Sequence, residues 1–278
     1  MEKSPLPGVN VLLMGGSGSG KTYAIRTLIK AGITPFCIFT EPGHETLGDV
    51  PATQLHWRYI APASQTWANM ISGAEKVNTL SFEAITKLVD PTRSQHDQFV
   101  RFLSSLNNYT CERNNIVYGD VCKWGTGRAI VVDGLTGVGL MAMGLVVGSK
   151  PVRHQGDWGI AMQLVASLFQ KLCTDTHCHF ILISHVDRET DEIMGGSKIM
   201  ASTLGRKLAP VLPRFFSDVV LSERQGTKFT WSTASVGADL KARNLPVADN
   251  LAPDFGSIIA SWKRQGGIIE GEETVAST

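Results

Sequence analysis

Residues 15–22 read GGSGSGKT and fit the pattern G-x-x-x-x-G-K-[ST] of a phosphate-binding loop. Glycine lets the backbone turn tightly and approach an anion, because no Cβ stands in the way. Successive N–H groups can then converge on phosphate oxygens, and a following helix adds the positive end of its dipole. Gly15, Gly16, Ser17, Gly18, Ser19, Gly20, Lys21, Thr22 and Tyr23 are therefore the expected nucleotide cradle. Lys21 would reach the β- and γ-phosphates, and the Thr22 hydroxyl would ligate Mg²⁺.

Three further polar residues end apolar runs. Asp133 closes RAIVVD and is the candidate second oxygen ligand for Mg²⁺; the plainer alternative is an acid that starts a turn. Glu41 follows PFCIFT and could orient or deprotonate an attacking water. Its run is expected to lie beside the first strand, which would bring Glu41 near the γ-phosphate. Otherwise Glu41 is a solvated turn acid. His185 follows HFILIS and could hydrogen-bond a γ-phosphate or simply cap the sheet.

These residues need strands that deliver them to one edge. Val9–Met14 precedes the phosphate loop as an apolar run of strand length, and Ala24, Ile25, Leu28 and Ile29 follow with helical spacing. The runs at 35–40, 128–133 and 179–184 do not alternate, which predicts strands buried on both faces. Between them, residues 62–110 predict two or three helices with a break at Asp90-Pro91, and 157–172 predict another. Residues 111–127 read as an excursion or hairpin, 134–156 as a Gly-rich and partly mobile segment, and 187–207 as a long polar loop. Later strands are expected at 219–222, 228–232 and near Val236. Strands alternating with helices give an α/β fold with a mostly parallel central sheet flanked by helices. Ligands bind at the carboxyl ends of such strands.

Composition limits the alternatives. Hydrophobic residues make up 43% of the 278, enough for a sizeable core. No apolar run is long enough to span a membrane, and the first residues, MEKSPLPG, lack an apolar signal core, so a cytoplasmic location is expected. Formal net charge is +1, so any nucleic-acid site must be a local patch. Five cysteines, an odd number, argue against a disulfide framework. Cys173, His177, Cys178 and His179 cluster, but with the spacing of no common zinc site.

Taken in order, GGSGSGKT, FTEPG, VVDGLTG, GDWG, ISHV and DLKARNLP resemble the RecA-like core of P-loop ATPases over roughly residues 9–262. Residues 1–8 would be a lead-in, 62–124 a helical insert, and 263–278 a flexible acidic tail. The resemblance implies ATP with Mg²⁺ as cofactors, Glu41 as catalytic base and Asp133 as the Walker B acid. His185 stands where the family usually has Gln or Asn. It also implies two DNA-binding loops, at 137–156 and 187–206, with Lys150, Arg153, Arg188, Lys198, Arg206 and Lys207 available for phosphates. Lys241 and Arg243 match a basic pair that reaches a neighbouring subunit's nucleotide, so a homo-oligomer, ring or filament, is implied. The short core is similar to bacteriophage ATPases of recombination and single-strand annealing. Single-stranded DNA is then the expected partner, with a single-strand-binding protein or another replication or recombination protein as a further one. Two other readings stay open: a hexameric helicase or packaging-type motor, and a nucleotide-dependent switch that binds protein.

Overall fold

We analysed a computed structural model that describes residues 6–62, 66–88, 96–148, 150, 152–191, 196–205 and 207–270. In chain order the elements are β1 (Asn10–Gly15), α1 (Lys21–Ala24), α2 (Arg26–Lys30), β2 (Thr34–Phe39), β3 (His56–Tyr59), α3 (Trp67–Thr79), α4 (Phe82–Thr86) and α5 (Gln98–Asn107). Next come β4 (Tyr109–Thr110), β5 (Val117–Gly119), β6 (Arg128–Asp133), α6 (Leu135–Val147), α7 (Gln155–Asp175) and β7 (His179–Ser184). The chain continues with β8 (Val186–Asp191), β9 (Gly196–Ala201), β10 (Asp218–Gln225), β11 (Lys228–Ser232), β12 (Lys241–Ala242) and α8 (Phe255–Arg264).

Among the described residues the main sheet runs β11-β10-β1-β7-β6-β2-β3, with β12 also pairing β10. The strands from β10 to β3 are parallel, while β11 and β12 run antiparallel to β10. This is the expected α/β class, a mostly parallel sheet flanked by helices. The non-alternating runs have a simple cause. Leu12, Phe36, Ile130 and Phe180 point into one core, and their neighbours Val11, Cys37, Val131 and Ile181 into the other. Helices α5, α6 and α7 cover the first face through Phe102, Val138 and Phe169. Helices α1, α2 and α8 cover the second through Ala24, Leu28 and Ile258. Each such fully buried Leu, Val, Ile or Phe contributes about 1.5–3 kcal/mol. Together they hold the strand ends in register.

Several expectations need correction. β2 does not lie beside β1; it pairs with β6, and β7 and β6 stand between them. The described residues of 134–156, read as a Gly-rich segment, are largely helical. Most of this stretch is α6, which buries Leu135, Val138, Met141, Met143 and Val147, and Gln155 already opens α7. Apolar side chains on every side of the helix override its glycines, because both the sheet and neighbouring helices cover it. The described residues of 187–206 are not an open loop: β8 and β9 pair antiparallel from Val186↔Ala201 to Asp191↔Gly196. No strand forms at Val236, which is 96% exposed; only Ala238 bridges to Ile199. β3 was not foreseen, being only four residues long. Residues 265–270, expected to belong to a frayed tail, are tied down. Ile269 is buried, and Thr126 Oγ1 donates to Ile268 O while accepting from Glu270 N.

The helices expected within 62–110 are α3, α4 and α5, but that stretch ends in β4, which pairs with β5 as a hairpin that starts before the excursion or hairpin expected at 111–127. The break at Asp90-Pro91 and residues 271–278 lie outside the described residues.

Candidate active site

β1 delivers the phosphate loop at its carboxyl end. Gly18 (φ 70°) and Gly20 (φ 87°) sit in the left-handed region, where a side chain would strain the turn. The loop is braced from the next strand: Ser222 on β10 donates its hydroxyl to Ser19 O at 2.9 Å. α1 begins at Lys21 and runs on into α2 through Ile25, whose backbone stays helical.

Lys21 is buried, and its ammonium donates to Gly15 O and Gly16 O, each at 2.8 Å. Burial lowers its pKa, while the nearby Asp133 and Glu41 carboxylates act the other way. Thr22 Oγ1 donates to Asp133 Oδ2 at 2.6 Å. Burial raises the Asp133 pKa, against the hydrogen bond from Thr22 and the charge of Lys21. A divalent cation would reverse that shift, because it favours the ionised carboxylate.

Glu41 arrives although β2 is three strands from β1. The end of β2 is locked onto β6 and α6: Thr40 N donates to Asp133 O at 2.7 Å, and Thr40 Oγ1 donates to Gly134 O at 2.6 Å. Glu41 then accepts from Gly137 N at 3.0 Å through Oε1, and its Oε2 lies 3.2 Å from His185 Nε2. Helix α6 comes this close because Gly137 has no side chain; a Cβ there would lie 2.4 Å from Thr40 Oγ1. His185 stands at the end of β7 and just before β8, and its carbonyl accepts from Ser202 N at 2.8 Å.

Lys21, Thr22, Glu41, Asp133 and His185 thus line one cleft of about 730 Å³, together with residues 17–20 and Tyr23. The donor set fits a magnesium nucleotide. The Ser19 hydroxyl is buried with no hydrogen-bond partner, and a Cβ on Gly16 would meet only open space. Thr22 and Asp133 supply the hard oxygen ligands that Mg²⁺ prefers. Bound there, Mg²⁺ would neutralise charge on the phosphates. The chain's own groups would cradle the phosphates, hold them with Lys21, and place the Glu41 carboxylate beside a water.

Sequence reasoning missed the far wall of the cleft, made by Thr27, Phe229 and Pro253. Phe229 sits in β11 with alternating neighbours, which flags a one-sided strand but not which residue meets the loop.

The remaining basic residues are not gathered at this cleft. Lys150 Nζ lies 3.6 Å from Asp157, and Lys198 Nζ 2.7 Å from Asp239. The Arg153 guanidinium lies over the Trp158 ring at 5.6 Å. Arg188 and Lys207 are exposed, and Arg206 lies outside the described residues. Lys241 is turned onto its own chain, donating to Pro213 O at 2.7 Å and Phe216 O at 3.2 Å. Arg243 is exposed beside it.

Residues 8–235 match the sequence profile of the AAA domain. The chain belongs to this AAA-domain family. Its phosphate loop, second acid and parallel sheet are those of a P-loop ATPase. No curated protein matches this AAA-domain chain in sequence. Among solved structures, it is similar to an ATPase from the type III secretion system of pathogenic bacteria, at 12% identity and a TM-score of 0.40. That match covers 78% of this chain and 53% of the other, so the AAA-domain chain spans about half of that protein's length. The RadB recombinase is similar at 13% identity and a TM-score of 0.36, over 86% of this chain and 93% of that one. Likeness this distant carries no argument about activity. Among the described residues, no helix is long and apolar enough to cross a membrane.

Proposed function

We propose that the protein is a RecA-like, Mg²⁺-dependent ATPase that works as a homo-oligomer and couples its nucleotide state to the β8–β9 hairpin. One observation carries this reading: Glu41, the candidate base, is in contact with His185, the residue that leads into the hairpin. A γ-phosphate or its loss would act on both at once. Among the described residues Lys21 is the cation that lines the cleft, and Arg224 Nη1 comes within 3.8 Å of where a Cβ on Gly18 would sit. A cation supplied by a neighbour would complete the charge stabilisation, and exposed Arg243 is the candidate. Lys241, held by Pro213 and Phe216, would position that segment rather than reach across.

Single-stranded DNA, in the setting of phage recombination, annealing or replication, is the ligand that the RecA-like resemblance suggests for the hairpin and the exposed Arg188 and Lys207. A protein partner is the second reading, favoured by specific charges. Lys150 and Lys198 already face acids, and the hairpin itself carries Asp187 and Glu189. The exposed Trp67, Ile71 and Phe82 on α3 and α4 fit a protein contact.

The test is ATPase rate per subunit against protein concentration, with and without single-stranded DNA. A rate that rises with both supports a shared site in a DNA-bound oligomer. A flat, DNA-insensitive rate refutes both the shared site and the DNA ligand. In the same assay, Lys21→Ala and Arg243→Ala should each lose turnover, and mixing them should restore part of it if Arg243 acts on a neighbour. No recovery places Arg243 outside the shared site.

A further inference from the structure

The strand order gives the cleft two unlike ends. β6 and β2, which bring Asp133 and Glu41, lie on one side of β1; β10 and β11 lie on the other. A nucleotide whose terminal phosphate meets Glu41 therefore extends its base toward β11. What lines the cleft there is Phe229, packed beside Gly20, with Pro253 and with Thr27, which Phe255 N holds.

That end carries one exposed aromatic ring with a guanidinium over it. The Phe229 ring is 39% exposed and packs on the loop, with Cδ1 3.1 Å from where a Cβ on Gly20 would sit. The Arg224 guanidinium lies 5.3 Å from the ring centroid, so Phe229 is held from its own strand β10–β11 pair. Pro253 adds a second wall with no donor. Tyr23, 61% exposed, lies apart from Phe229, its ring under the Arg26 guanidinium that Asp49 and Thr46 O hold on the Glu41 side.

Among the described residues that line this end, no side chain offers a fixed donor and acceptor pair to one base edge. Thr27 is half-buried, and its hydroxyl is already occupied. It donates its proton to Ala24 O at 2.7 Å and accepts from Phe255 N at 2.9 Å. It has no proton left for a base. A base-reading site needs fixed donors and acceptors that a wrong base leaves unpaired, and such sites discriminate by orders of magnitude. Stacking on an aromatic ring is tolerant, because every base has a π-face.

We propose that the site takes nucleoside triphosphates as a class, purine and pyrimidine alike, with Phe229 as the stacking platform. The proposal rests on the ATPase reading of the phosphate loop and names its substrate class. The observed binding energy would come from the phosphates and from a base-independent stack.

The experiment is calorimetric titration of the full chain with ADP, GDP, CDP and UDP in Mg²⁺, diphosphates being safe from turnover, and with inorganic tripolyphosphate. Affinities that fall within about thirtyfold of one another support the proposal; a wider spread in favour of one base overturns it. Phe229→Ala should weaken all four diphosphates by about tenfold and leave tripolyphosphate unchanged, with Phe229→Trp restoring the loss. An equal fall for tripolyphosphate means that Phe229 acts by shaping the phosphate loop, and it overturns the stacking role. A chain that binds neither diphosphates nor tripolyphosphate refutes the phosphate-loop reading itself, and this proposal with it. Selective binding of one base refutes this proposal alone.

Discussion

Glu41→Gln separates chemistry from binding more cleanly than any other change in the cleft. The amide is nearly isosteric with the carboxylate. Its Oε1 can still accept from Gly137 N, now 3.0 Å away, so the attachment of β2 to α6 is kept. The second oxygen, 3.2 Å from His185 Nε2, becomes an NH₂ group that can donate to a neutral imidazole. Both side chains are partly exposed, Glu41 at 28% and His185 at 41%, so changing this contact costs only about 0–1 kcal/mol of stability. Removal of a general base costs about 10²–10⁴ in rate, or roughly 3–5 kcal/mol in the barrier. The expected result is therefore a large fall in turnover on an intact fold. Single-turnover phosphate release at saturating Mg²⁺ and ATP reads the rate, ADP titration reads binding, and a thermal melt reads the fold. Phosphate release within about threefold of wild type would refute the role of base. A fall in ADP affinity matching the loss of rate would also refute it, by making Glu41 a binding residue.

Gly137→Ala tests the close approach of α6 to β2. Alanine gains up to about 1 kcal/mol of helix propensity, but its Cβ would lie 2.4 Å from Thr40 Oγ1 and 2.9 Å from Thr40 O. Overpacking of about 1–3 kcal/mol should dominate, since backbone cannot yield as a side chain does. Urea unfolding should show net destabilisation and turnover should fall with it, whereas Gly144→Ala in the same helix, with its nearest contact at 3.5 Å, should be neutral or stabilising. Equal stability of Gly137→Ala and wild type would sink the argument. His179 predicts an acid-side loss of stability. It is fully buried, its Nδ1 accepts from Val9 N at 3.0 Å, and burial pushes its pKa down from 6.5 to about 4. The unfolded chain binds the extra proton first, so stability is intact above about pH 6.5 and declines as pH falls toward 4, by roughly 3 kcal/mol in all. Replacing His179 with Gln should flatten that slope in urea titrations; an unchanged slope would assign the loss to other groups.

The sequence made the phosphate loop legible because its chemistry is local. Strand, turn and helix are contiguous, and the glycines, Lys21 and Thr22 act through backbone they carry themselves. Asp133, Glu41 and His185 were legible for a related reason. Each follows a run apolar enough to be a strand buried on both faces, and parallel strands present their carboxyl ends along one edge. Neighbours in that edge were not legible. The sequence placed β2 beside β1, yet β7 and β6 come between them, because pairing depends on which strand ends the crossover helices can reach. Glu41 reaches the site through Thr40 and the bare backbone of Gly137, contacts that no spacing announces. Glycine was misread in the same way. In 134–156 it suggested an irregular segment, whereas at Gly137 it permits a buried helix to press against the end of β2. Phe229 is the clearest case of what tertiary structure alone decided. Its residue type says only that it prefers burial, and the pairing of β11 with β10 puts it against Gly20 of a loop two hundred residues earlier. Local chemistry is written in order along the chain, but which side chains share a cleft is settled by long-range packing, where a change of one strand in the sheet order would assemble a different site.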